Sequence, residues 1–65
     1  MNKQKYIVNV DRLNVRTGPD FSYMRIRTLR EGDIVTVKKY WNEWANIGLF
    51  QWVNSKYLKR VWTHG

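Results

Sequence analysis

Hydrophobic and polar residues alternate along this chain in short runs, and no run keeps the i, i+3, i+4, i+7 spacing of an amphipathic helix. Tyr6-Ile7-Val8-Asn9-Val10 is the first run. Leu13-Asn14-Val15-Arg16 is the second, with Leu13 and Val15 facing in and Asn14 and Arg16 facing out. Thr17-Gly18-Pro19-Asp20 reads as a turn, because Gly permits positive φ and Pro has no N–H for a ladder. Met24 to Leu29 is a third run, which places Met24, Ile26 and either Thr28 or Leu29 inward and sends Arg25, Arg27 and Arg30 to water. A second turn, Arg30-Glu31-Gly32-Asp33, precedes the most β-prone segment, Ile34 to Tyr40, with Val35 and Val37 as its core pair. Trp41 and the polar connection Asn42-Glu43 lead to a short strand over Trp44 to Ile47. Gly48 marks a tight turn and Phe50 to Val53 the returning strand. Asn54 to Leu58 reads as one helical turn, capped by Asn or Ser with Leu58 tucked inward, and Lys59 to Thr63 as a last strand.

This pattern predicts an all-β fold, a small closed or nearly closed barrel of five to six short strands with one helical turn near the C-terminus. Closure removes the exposed sheet edges that a chain rich in β-branched residues must otherwise protect. Residues 1–5 read as a linker remnant or start, 6–63 as the barrel, and 64–65 as a frayed tail. Sixty-five residues are enough for one small domain only. With no cysteine to staple it, the core has to come from side chains, and four Trp, four Tyr and two Phe supply large buried areas.

Twelve Lys and Arg against five Asp and Glu leave a net charge of +7, which favours polyanions and also keeps exposed strands from aggregating. No apolar run approaches the ~20 residues that span a bilayer. Membrane insertion is therefore not expected, and neither is a signal peptide, since Met1 is followed by polar residues. Catalysis is not expected: the one histidine, His64, sits beside the C-terminus, and Asp11, Asp20, Glu31, Asp33 and Glu43 are scattered among turns. The same scatter argues against a metal site, Gly18 and Gly32 are isolated turn glycines, and no cofactor is expected.

The stretch Leu13-Asn14-Val15-Arg16-Thr17-Gly18-Pro19 carries a resemblance. Leu29 with Glu31-Gly32, then Val35-Thr36-Val37, Trp44, Trp52-Val53 and Tyr57-Leu58, extend it in order. Over roughly Tyr6 to Val61 the chain resembles bacterial Src-homology-3 domains. It departs from them at Gln51, where the family usually has Gly, at Ala45, where an aromatic is common, and in the short Gly48-Leu49 turn. The resemblance implies a cell-wall-targeting module that brings an attached hydrolase, as in phage endolysins and autolysins, to peptidoglycan. The implied location is the bacterial cell wall or the extracellular space, with release at lysis for an endolysin. Eukaryotic relatives bind Pro-rich helices beside an acidic loop. The corresponding loop here, Arg16 to Arg27, is basic, which disfavours that mode.

Candidate binding residues follow from the aromatic content. So small a barrel cannot bury ten aromatics, so several must show a face suited to sugars or peptide planes. Tyr40, Trp41, Trp44, Trp52 and Tyr57 are the candidates, with Trp44 and Trp52 also readable as core or hairpin packing, the favoured reading for Trp52, and Trp41 expected in the open. Tyr23 is a candidate groove wall. Asn14, Arg16 and Asp20 complete the set, Arg16 either touching ligand or, the favoured reading, pinning the loop through backbone carbonyls. The leading expectation is non-catalytic peptidoglycan binding, to stem or cross-bridge peptide with or without glycan, in a groove between the Thr17–Arg27 loop and the aromatic strands. The alternatives are a basic barrel for nucleic acid or another anionic polymer, which no signature supports, and a protein-interaction module of a larger surface protein.

Overall fold

A computed structural model of the chain describes residues 4–61, and the expectations for residues 1–3 and for Trp62, Thr63, His64 and Gly65 lie outside the described residues. Eight short strands occur among these residues: β1 (Gln4–Val8), β2 (Arg12–Arg16), β3 (Arg25–Arg30), β4 (Ile34–Val37), β5 (Lys39–Trp41), β6 (Trp44–Gly48), β7 (Gln51–Asn54) and β8 (Leu58–Arg60). A 3₁₀ turn, Ser55–Tyr57, joins the last two. All pairings are antiparallel, in a three-stranded sheet β4-β1-β8 and a five-stranded sheet β3-β2-β7-β6-β5. The fold is the expected all-β, Src-homology-3-like barrel, with eight strands in place of five or six.

The additional strands have a physical origin. The run from Ile34 to Tyr40 breaks at Lys38, so β4 pairs with β1 in one sheet while β5 pairs with β6 in the other. The Lys38 amide still donates to the Asn46 carbonyl, 2.8 Å away, which holds the corner between the sheets. The core lies between the sheets and consists of Val8, Leu13, Val15, Leu29, Val35, Val37, Ala45 and Val53. Val35 and Val37 are buried as expected. Tyr6, Val10, Ile47, Tyr57 and Leu58 pack against its rim.

Several boundaries differ from the sequence pattern. The first strand begins at Gln4, where Gln4 and Lys5 pair with Val37 and Thr36, and it ends at Val8. The alternation places Met24 and Ile26 inward, yet both are exposed, Met24 at 70%, and of Thr28 and Leu29 it is Leu29 that is buried. The cause is position: β3 is a sheet edge, and the pairing passes from Val15–Arg27 to Arg16–Arg25, which leaves Ile26 without a partner in a bulge. The hairpin expected to turn at Gly48 turns instead through Leu49 and Phe50, with the return strand starting at Gln51. Phe50 there adopts φ 54, which costs a bulky residue on the order of 1–2 kcal/mol. The final strand is Leu58–Arg60, which begins one residue before the expected run and leaves out Val61; Trp62 and Thr63 lie outside the described residues.

Candidate functional site

Residues that face each other across an antiparallel pair share a face of the sheet. Ala45 lies opposite Val53, and both are fully buried in the core. Their neighbours along the strands therefore form the outer face: Trp44 opposite Asn54, Asn46 opposite Trp52, and Trp52 opposite Arg16 on the next strand. Because Leu13 and Val15 take the core side of β2, Arg12, Asn14 and Arg16 extend the outer face. With Leu13, Val15, Ala45 and Val53 turned into the core, a polar-aromatic strip lies across three neighbouring strands.

The loop from Thr17 to Met24 folds over this strip. Its Thr17 amide donates to the Met24 carbonyl at 3.0 Å and its Tyr23 amide to the Asp20 carbonyl at 3.2 Å. Arg16 Nη1 donates to the Tyr23 carbonyl at 2.9 Å, so Arg16 has the pinning role favoured from the sequence. The Ser22 amide donates to Asp20 Oδ2 at 2.9 Å. Hydrogen bonds from the Ser22 side chain and amide, with the nearby positive charge of Arg16, hold the Asp20 carboxyl below its ordinary value. The loop is thereby fixed on both sides of Phe21. The Phe21 ring meets Trp44 edge-on, with centroids 4.9 Å apart and planes at 75°. The Arg16 guanidinium carbon lies 5.7 Å from the centre of the Phe21 ring.

Between the loop, β2 and the 3₁₀ turn is an open cleft of about 340 Å³. Phe21, Trp44 and Tyr57 are its aromatic walls, Asn14, Asn54 and Arg16 bring polar groups to it, and Val10, Arg12 and Leu13 complete it. The cleft lies at the lower end of small-molecule site volumes, roughly 300–1,000 Å³. Trp44 lies on the outer face yet is only 7% exposed, packed against the Phe21 ring, and it lines the cleft. The 3₁₀ turn that presents Tyr57 is capped by Asn54, whose Oδ1 accepts from the Lys56 amide at 3.0 Å. It is tied to the β5–β6 hairpin by the Ser55 amide and hydroxyl, which donate to the Glu43 carbonyl at 2.8 Å and 2.7 Å.

The structure therefore brings Asn14, Arg16, Trp44 and Tyr57 together and places the other candidates elsewhere. Tyr23 lies with its ring against Gly18, so close that a Cβ added at Gly18 would come within 2.5 Å of it, and is not a cleft wall. Asp20 is an exposed loop former. Tyr40 donates its hydroxyl to the Tyr6 hydroxyl at 2.8 Å, and burial followed by that bond pushes its pKa up to about 12. Trp41 pairs opposite Trp44 at the end of β5 and is 61% exposed, in the open as expected but outside the cleft. Trp52 is half-buried and lines a separate hollow with Lys38, Lys39 and Phe50. Phe21 is the wall that sequence reasoning missed. An aromatic flanked by the polar residues Asp20 and Ser22 was the available signal.

Among the described residues, no three His, Cys, Asp or Glu side chains come together to hold a metal. Every buried side-chain polar atom among them has a partner. What the cleft offers is flat rings, amide groups and one fixed cation, which is binding chemistry. A family model described as bacterial SH3 domain matches residues 11–59. No curated protein and no solved structure matches the chain.

Proposed function

The chain belongs to the bacterial SH3 domain family, and on that premise we propose that it is a non-catalytic module that binds peptidoglycan and brings an attached or partner cell-wall hydrolase to its substrate. The family is one of binding domains, generally non-catalytic and commonly involved in cell-wall binding. The observation that carries the finer reading is the cleft walled by Phe21, Trp44 and Tyr57, with Asn14 and Asn54 between the rings. Rings set around amide groups suit an extended stem or cross-bridge peptide, whose planes stack on aromatics while its N–H and C=O groups find side-chain partners. Glycan hydroxyls fit the same groups. The cleft is open and shallow, so a single module binds weakly, and tethering to a hydrolase on the same polymer raises the effective concentration. The place of action is the bacterial wall or the medium outside it, reached at lysis where the hydrolase is an endolysin.

The net charge of +7 adds a salt-sensitive attraction to an anionic wall. Pull-down on purified peptidoglycan stripped of teichoic acid, at low and high salt and across several cross-bridge types, separates the two contributions. Salt-resistant retention that varies with cross-bridge supports recognition in the cleft. Retention that disappears entirely with salt leaves charge alone and contradicts it.

A further inference from the structure

The tip of the β6–β7 hairpin carries a feature that the cleft does not use. Its two turn residues, Leu49 and Phe50, are 79% and 67% exposed. Phe50 holds φ 54, a left-handed backbone that Asn and Gly enter readily and bulky residues rarely do. The β5–β6 hairpin of the same sheet meets the same requirement with Asn42, also at φ 54. One tip thus has the residue that its backbone favours, and the other has an aromatic ring held out in water. Neither the exposure nor the backbone conformation of Phe50 helps the fold.

The surroundings of this tip are cationic. Lys38, Lys39 and Trp52 line one hollow of about 420 Å³ with Leu49 and Phe50, and no acidic residue lines it. Lys39 Nζ sits 5.9 Å from the centre of a Trp52 ring. Arg27 Nη2 donates to Gln51 Oε1 at 2.7 Å, which brings a further guanidinium to the strand next to the tip. The acidic residues are placed elsewhere. Glu31 and Asp33 belong to the β3–β4 turn, where the Glu31 amide donates to the Asp11 carbonyl at 3.3 Å, and Asp20 belongs to the loop between β2 and β3. Glu43 belongs to the other hairpin, at the opposite end of β6.

We propose that this hairpin tip adsorbs to the surface of an anionic lipid bilayer, with Leu49 and Phe50 entering the interface and Lys38 and Lys39 facing the lipid phosphates. Two adjacent apolar side chains on a projecting tip need no preformed pocket in a fluid interface, and cations set behind them match negative headgroups. Trp52, half-buried beside them, has the amphipathic ring that settles at headgroup level. Charge complementarity selects this occupant. A neutral surface leaves Lys38 and Lys39 without a role, and an anionic polymer without lipid leaves Leu49 and Phe50 in water. The contact is surface adsorption, since only the two side chains of the hairpin tip enter the interface.

The test is co-sedimentation of the chain with large vesicles of phosphatidylglycerol and phosphatidylcholine, against pure phosphatidylcholine, at physiological salt. The wild type is expected to sediment with the anionic vesicles only. The pair Leu49→Ser with Phe50→Asn is expected to weaken this at least tenfold without lowering the melting temperature, because Asn suits the left-handed position. Lys38→Gln with Lys39→Gln is expected to weaken it as well. Wild type that stays in the supernatant overturns the proposal, and so does a tip variant that sediments as strongly as wild type, since charge alone then suffices. A vesicle-free dimer that the tip variant breaks assigns the surface to a second copy of the chain and overturns it too.

Discussion

The Phe21 ring stands edge-on to the Trp44 ring, 4.9 Å between centroids, and the two close one side of the cleft from different directions. Trp44 is buried in the sheet, whereas Phe21 is an exposed residue of a loop held by Arg16 and Asp20. Their replacements should therefore separate stability from binding. Phe21→Ala removes an aromatic pair worth about 0.5–1.5 kcal/mol and should leave a cooperatively folded domain that binds peptidoglycan at least tenfold more weakly. Trp44→Ala should cost about 3–5 kcal/mol and abolish both. Thermal denaturation beside the peptidoglycan pull-down reads the two effects.

Gly18 is buried, and an added Cβ would lie 2.5 Å from Cδ1 and Cε1 of Tyr23 and 2.6 Å from its Cγ. The base of the ring is involved, so a small rotation cannot relieve the clash. Gly18→Ala should destabilise by about 1–3 kcal/mol, as overpacking does. Combining it with Tyr23→Ala should recover most of that loss. A double-mutant cycle by urea denaturation measures the coupling, and simple additivity would show that Tyr23 does not pack there.

Local alternation made most of the barrel legible, because Leu13, Val15, Val35, Val37 and Val53 each sit in a strand whose two faces have different fates. It could not locate the corner at Lys38, since that break depends on two sheets competing for one strand. It also misassigned Met24 and Ile26, because an edge strand with a bulge does not bury what its alternation suggests. For the site, Asn14, Arg16, Trp44 and Tyr57 were recognisable as outward or aromatic positions of matched motifs. Phe21 and Tyr23 have the same parity in one loop, and only the fold of that loop decides that Phe21 reaches Trp44 while Tyr23 covers Gly18.

Tyr40 gives the fold a dependence on alkaline pH. Its side chain is half exposed, and partial desolvation of the hydroxyl with the bond to Tyr6 favours the neutral form and pushes its pKa from 10.0 up to about 12. A group whose pKa is raised on folding stabilises fully below its unfolded value and loses that contribution as pH rises through the folded one. Stability should thus fall between pH 10 and 12, and less steeply in Tyr40→Phe. Urea midpoints across that window measure it; equal slopes for both proteins would contradict this role of Tyr40.

Asn54 caps the 3₁₀ turn and also lines the cleft. Asn54→Ala removes the acceptor for the Lys56 amide and should cost about 1 kcal/mol. Asn54→Ser keeps a neutral capping acceptor at this buried position and should retain most of the stability, while losing the amide group. Denaturation midpoints and peptidoglycan binding of the two variants distinguish the cap from the contact.

The most direct measurement of the central claim is an amide and indole NMR titration of the chain with soluble stem-peptide and cross-bridge fragments of peptidoglycan. Binding in the cleft predicts that the Trp44 indole and the amides of Asn14, Phe21, Asn54 and Tyr57 shift together along one saturable curve. Shifts confined to Lys38, Lys39 and Trp52, or none at fragment concentrations that saturate intact wall, would contradict it.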